Sequence, residues 1–200
     1  MFASYLGPSA VAAWAIAGTL WDGFEMITEA IGDAAEIRCA YLLGAGYPRR
    51  AMMSAYKTLF VGMIIAVLIS TFLFIAGNYI PYWLTSDPTL QAIIHSLMPF
   101  LGLGNLALSI GQLCWTILGS QGRYRLATIT AFLGTCIITV PLSALFSILL
   151  DFNLQGQTAA IVMGYMISGS FNAYIVFTSD WEYLSEQLMR ENKAENREDG

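Results

Sequence analysis

The sequence predicts an all-α, polytopic transmembrane helix bundle of about five spans. Three observations lead there. Hydrophobic residues make up 56% of the chain and charged residues only 12%, against roughly a quarter charged in soluble domains. The charge is gathered in an opening stretch, in short turns and in the tail, which leaves long uncharged runs. Each run reaches the ~20 residues needed to cross a ~30 Å hydrocarbon core.

Four runs are plain: "TLFVGMIIAVLISTFLFIAGNYI" at 58–80, "IIHSLMPFLGLGNLALSIGQLCWTIL" at 93–118, "ATITAFLGTCIITVPLSALFSILL" at 127–150 and "TAAIVMGYMISGSFNAYIVF" at 158–177. Pro99 and Pro141 lie inside two of them and are expected to kink them. A fifth span, about 10–43, starts apolar and then turns acidic. The turns "GAGYPRR", "YWLTSDPTL", "GSQGRYR" and "DFNLQGQ" separate the spans, so neighbouring helices run antiparallel. Residues 1–178 form the bundle and 179–200 a polar cytoplasmic tail. Asp180 is a plausible N-cap for a short tail helix that sets Trp181, Leu184 and Leu188 against the bundle. A solvated end fits the tail's composition equally well.

Basic residues orient the bundle. Arg38, Arg49, Arg50 and Lys57 surround the first turn, Arg123 and Arg125 the third, and Arg190, Lys193 and Arg197 lie in the tail. With five spans all nine share one side, which the positive-inside rule makes cytoplasmic. The N-terminus then falls on the outer or lumenal side of a plasma membrane or endomembrane. No basic flank precedes the first apolar run, so no cleavable leader is read.

The opening span carries five acids, Asp22, Glu25, Glu29, Asp33 and Glu36. Their spacings of 3, 4, 4 and 3 place them within an arc of about 80° on a helix. Phe24, Ile27, Ile31 and Ala34 occupy the back, and Gly18, Gly23 and Gly32 offer small surfaces for close helix packing. Acids within a membrane are costly and usually face a cavity, a partner or an ion path. Carboxylates one turn apart disfavour ionising together, so the stripe suits the exchange of a proton for a cation. A partly exposed helix with a solvated acidic face is the alternative.

Two further helices carry uncharged polar stripes, Asn105, Ser109, Gln112 and Thr116 in one and Tyr165, Ser168 and Asn172 in the other. They either bond helices together or line the path that the acids face. His95, the single histidine, lies at the outer end of its helix with no partner in view and reads as incidental. Cys39, Cys114 and Cys136 are scattered in apolar runs and read as small buried side chains. No metal spacing, nucleophile arrangement, phosphate loop or dinucleotide fingerprint is present, so an enzyme, a metal site and a cofactor are not expected. A basic nucleic-acid surface is also missing.

The stretch "LLGAGYPRRA" resembles a turn of the multidrug and toxic compound extrusion (MATE) transporters, through Leu43, Gly44, Ala45, Gly46, Pro48 and Ala51. Arg38 ahead of it, "VAAWAIAGTL", the stretch Gln121, Gly122 and Arg123, "VPLSALF", "LQGQTAAIVMGY" and the polar end with its Trp resemble the same family in order. The resemblance implies helices eight to twelve of a twelve-helix antiporter, the C-terminal lobe. It implies export of small organic, cationic compounds in exchange for H+ or Na+. Glu25 and Glu29 become the leading ion or substrate ligands, with Asp22, Asp33, Glu36, Gln112 and Asn105 along the path. Gln112 stands where many members have an acid, and Asp33 and Glu36 where plant-like members have small residues. The expected partners are the lipid bilayer, a small organic substrate, and a missing N-terminal lobe or a second copy. A non-transporting subunit or inactive remnant is the other reading.

Overall fold

A computed structural model describes residues 7–146 and 153–198, all in helices and the tight connections between them. In chain order these are α1 (Pro8–Gly44), α2 (Pro48–Ala76), the short α3 (Ile80–Leu84), α4 (Pro88–Ser120), α5 (Tyr124–Leu133), a π-helical segment (Gly134–Thr139), α6 (Val140–Ala144), α7 (Asn153–Thr178) and α8 (Trp181–Glu198). Prolines open α1, α2 and α4 within the first two helical positions, where the missing N–H has no intrahelical partner anyway. Asp87 caps α4 by accepting from the Thr89 N–H at 2.8 Å. The end of the expected run 127–150 and the start of the loop "DFNLQGQ" lie outside the described residues.

Four stretches are long and apolar enough to cross a membrane: Pro48–Ala76, Pro88–Ser120, Tyr124–Ala144 and Leu154–Thr178. α1 is outside that set because of its acids, yet it runs parallel to α4 along most of that helix. Ala13 and Ala17 join Leu97 and Leu101 in a cluster at one end. Thr28 meets Ser109 at 3.3 Å further along, and Cys39 and Leu43 join Ile117 and Leu118 at the other end. α1 therefore covers the same depth as a helix that can cross. Two apolar clusters thus lie toward opposite ends of the bundle, with Thr28, Asn105 and Ser109 buried between them.

α4 is the central helix, packed on α1, α2 and α7. Its crossing with α7 is made by glycines. A Cβ on Gly169 would meet the Ala107 carbonyl and the Gly111 Cα, each at 3.3 Å. Gly32 of α1 lies against Thr116 of α4, whose Oγ1 is 2.9 Å from the position of a Cβ there. Gly18 and Gly23 make no such contact: nothing lies within 4 Å of a Cβ at either. The small-residue expectation for α1 thus holds at Gly32 alone, because Gly18 and Gly23 fall on its open faces.

Pro99 leaves α4 unbroken as a helix. Pro141 acts differently. It has no N–H to give the Ile137 carbonyl, and the preceding residues 134–139 widen to π geometry. The Val140 N–H bonds the Thr135 carbonyl five residues back.

The tail is a docked helix. Asp180 accepts from the N–H groups of Glu182 and Tyr183, each at 3.1 Å. Trp181 and Leu184 are buried and Leu188 packs on the same cluster. Ser185 Oγ donates to the Leu43 carbonyl at 2.7 Å, beside the Gly46 N–H that the same carbonyl accepts at 3.1 Å. Gly46 and Gly122, with φ of 78° and 72°, make the two turns at this end, and only glycine adopts that conformation without cost. Met189 lies over the first and Leu188 over the second. Arg123 donates to Ser179 Oγ at 3.1 Å, and Ser179 Oγ to Gln121 Oε1 at 3.2 Å. Both turns and the tail therefore share one end of the bundle.

Replacing Gly169 by Val would force α4 and α7 apart. The expected cost is about 1–3 kcal/mol, as for other overpacked interiors. Thermal unfolding in detergent should show a clearly lower Tm for Gly169→Val and none for Gly18→Ala, which faces open space.

Candidate functional site: polar cavities beside Glu25

The acids of α1 project from a helix whose other side is held by α4, and their height is set by that packing. Trp21 fits against Gly104 of α4 and makes an edge-on contact with Tyr165 of α7, centroids 6.1 Å apart. Asp22 and Glu25 follow directly. Thr28 and Gly32 then bind α1 to Ser109 and Thr116. One turn of α1 thus presents Asp22 and Glu25 to α7, and the next turns continue past it.

Two cavities meet there. The first, about 360 Å³, lies between α1 and α7 and is lined by Trp14, Gly18, Asp22, Glu25 and Tyr165 among others. The second, about 380 Å³, lies between α4, α7 and the π-distorted helix; Glu25, Gln112, Thr135, Tyr165, Ser168 and Asn172 line it. Glu25 and Tyr165 belong to both. The walls of the second cavity are held by local bonds. Thr130 Oγ1 donates to Asn172 Oδ1 at 2.5 Å, and Ser168 Oγ to the Gly164 carbonyl at 2.9 Å. A carboxylate between uncharged donors, with Gln112 opposite, can accept a proton or hold a cation.

The structure brings some of the sequence-derived residues together and separates others. Asp22, Glu25 and Gln112 share the paired cavities with Tyr165, Ser168 and Asn172. Glu29 and Asp33 are exposed and Glu36 half-buried, and none of the three lines either cavity. Asn105 lies elsewhere. It is 2% exposed, and its Nδ2 donates to the Ala66 carbonyl at 3.1 Å and to Ser70 Oγ at 3.0 Å, tying α4 to α2. Ser109 and Thr116 face α1. The stripe on α4 is one face of one helix, but at successive heights that face meets different neighbours, so only Gln112 reaches the cavity.

Two smaller readings change. His95 has a partner: its Nε2 lies 2.8 Å from Asn78 Oδ1, joining α4 to the loop after α2. Cys39 and Cys114 are buried, whereas Cys136 is exposed on the π-helical segment, which faces away from the bundle at that position. Sequence reasoning passed over Thr135 and Thr139, which also line the second cavity. Their spacing of four was the available signal.

A bundle of crossing helices with a carboxylate at the junction of two open clefts that carry polar side chains has the construction of a membrane transporter. The chain belongs to the MatE family, whose model matches residues 1–145. It is 25% identical over 186 residues to an uncharacterized transporter of Schizosaccharomyces pombe, over 93% of this chain and 34% of that protein. It is 26% identical over 154 residues to Multidrug and toxin extrusion protein 1 of Xenopus tropicalis, over 77% of this chain and 27% of that protein. The crystal structure of the eukaryotic MATE transporter AtDTX14 matches with a TM-score of 0.85 at 18% identity, over 92% of this chain and 40% of that one. The chain thus spans well under half the length of these relatives, and the expected fold, part of a MATE transporter in an integral membrane protein, is the one observed.

Cysteine accessibility separates the two polar positions of α4. In a Cys136→Ser background, Gln112→Cys should react with a water-soluble methanethiosulfonate, because it faces a cavity. Asn105→Cys should remain unlabelled until the protein is denatured.

Proposed function

We propose that this chain forms part of a secondary antiporter that exports small organic, cationic compounds against a proton or sodium gradient. The observation that carries the reading is that one carboxylate, Glu25, faces two adjoining cavities. A group so placed can take an ion from one side and yield it as a cationic substrate arrives, because both compete for the same charge. Asp22 on the same turn, Glu29 one turn on and Tyr165 across the cavity are the titratable groups nearest it; the polar side chains of α4 in the second cavity, Gln112 and Trp115, are uncharged. Glu29, Asp33 and Glu36, continuing the stripe outside these cavities, would meet the second lobe or a second copy of the chain.

The proposed orientation sets the two glycine turns and α8 on the cytoplasmic side. Two turn arginines, Arg49 and Arg123, and Arg190 of α8 lie at that end, as the positive-inside rule requires.

The test is export of a fluorescent organic cation from proteoliposomes holding the full-length protein under an imposed pH or sodium gradient. Glu25→Gln should lower export about tenfold or more, the size of an effect worth ~1.4 kcal/mol. The residual activity should depend on pH less steeply than that of the wild type. Glu29→Gln should cost less, being outside both cavities. Wild-type export and pH dependence in Glu25→Gln would overturn the assignment.

A further inference from the structure

A third cavity, about 770 Å³, opens between α1 and α2. It lies on the side of α1 opposite the acidic stripe, roughly half a turn of the helical wheel away. Three cations line it, Arg38, Arg50 and Lys57, and no acid does. All three side chains are exposed. Among the described residues the ion pairs are Arg49 with Glu182 and Arg190 with Glu186, so none of the three is neutralised by a carboxylate.

The groove has a polarity along its length. At 1.5 Å per residue, Arg50, Arg38 and Lys57 stand ~3, ~9 and ~14 Å from the helix ends at the Gly46 turn. Ile31 and Val61 line it at ~20 Å. Positive charge thus lies at the turn end of the groove, and an apolar slot continues from it along the helices. That order matches one kind of molecule, with an anionic phosphate at one end and an acyl chain at the other.

We propose that the α1–α2 groove binds an anionic phospholipid of the leaflet at the turn end. Its phosphate is held by Arg38, Arg50 and Lys57, and one acyl chain lies against Ile31, Ala34 and Val61. The charge complementarity favours this occupant over a zwitterionic lipid, whose choline would sit unpaired among three cations. Basic pockets between membrane helices on the cytoplasmic side recognise anionic headgroups in this way. The inference is independent of the transport reading, since it concerns the other face of α1.

The probe is an equimolar mixture of dioleoylphosphatidylglycerol and dioleoylphosphatidylcholine. The full-length protein is reconstituted in it, extracted gently, and its retained lipids are counted by native mass spectrometry. Wild-type protein should retain phosphatidylglycerol in preference to phosphatidylcholine. Arg38→Gln and Lys57→Gln should each lower that preference about fivefold, the equivalent of one cation near an anionic surface. The triple variant with Arg50→Gln should show none. Val61→Trp, which fills the apolar slot and changes no charge, should also lower retention. Arg190→Gln on α8 should leave it intact, and excess glycerol phosphate should not displace the lipid. Equal retention of the two lipids by the wild type, as when a protein helix covers the groove, would overturn the proposal. So would full preference in the triple variant, a loss in Arg190→Gln equal to that in Lys57→Gln, or displacement by glycerol phosphate.

Discussion

The backbone contact between α4 and α7 at Gly111 and Gly169 decides where the other parts of the bundle can be. Lipid tails are as apolar as leucine, so membrane helices gain little by hiding apolar surface from them and associate through close packing and hydrogen bonds. Glycines let α4 and α7 approach until backbone meets backbone. That leaves the cavity beside Gln112 as the space that opens where Trp115, Tyr165 and the π-distorted helix hold the walls apart. The same rule works on the other side of α4, where Gly32 brings α1 against Thr116. The hydroxyls of Thr28, Ser70 and Ser109 and the amide of Asn105 then complete contacts that apolar side chains alone would leave undirected.

The end of the bundle with the two glycine turns is organised by a different principle. A helix ending at Gly44 leaves carbonyls without partners. The turn's own N–H groups meet the Tyr41 and Leu43 carbonyls, Ser185 of α8 adds a second bond to Leu43, and Met189 and Leu188 cover the turns that the positive φ of Gly46 and Gly122 creates. The motifs "LLGAG" and "SQGR" are far apart in the chain but lie under one helix. Each demands glycine for its own backbone, and the tail reads both at once.

α1 separates charge by sign. Its acids look toward α7 and outward, and Arg38 looks toward α2 with Arg50 and Lys57. A helix 37 residues long can do this because its buried face, from Ala13 through Thr28 to Cys39, is made of small or hydroxylated residues that leave both flanks open.

Much of this was legible in the residues. The apolar runs, the proline and glycine punctuation and the 3–4 spacing of the acids determined an all-helical membrane bundle and the shared face of the acidic stripe. Each depends on neighbours within a few turns, and local spacing records such relations directly. The docking of the tail was half legible, in Asp180 and the Trp181, Leu184 and Leu188 spacing. What tertiary structure alone decided is which residues of a face meet which neighbour. Asn105 and Gln112 share one face of α4, yet the first is sealed against α2 and the second lines a cavity, because α4 passes a different helix at each height. For the same reason Glu25 lies between two cavities while Glu29, one turn on, is exposed. Three cations from two helices form one groove only once α1 and α2 are packed side by side, and no periodicity within either helix carries that information.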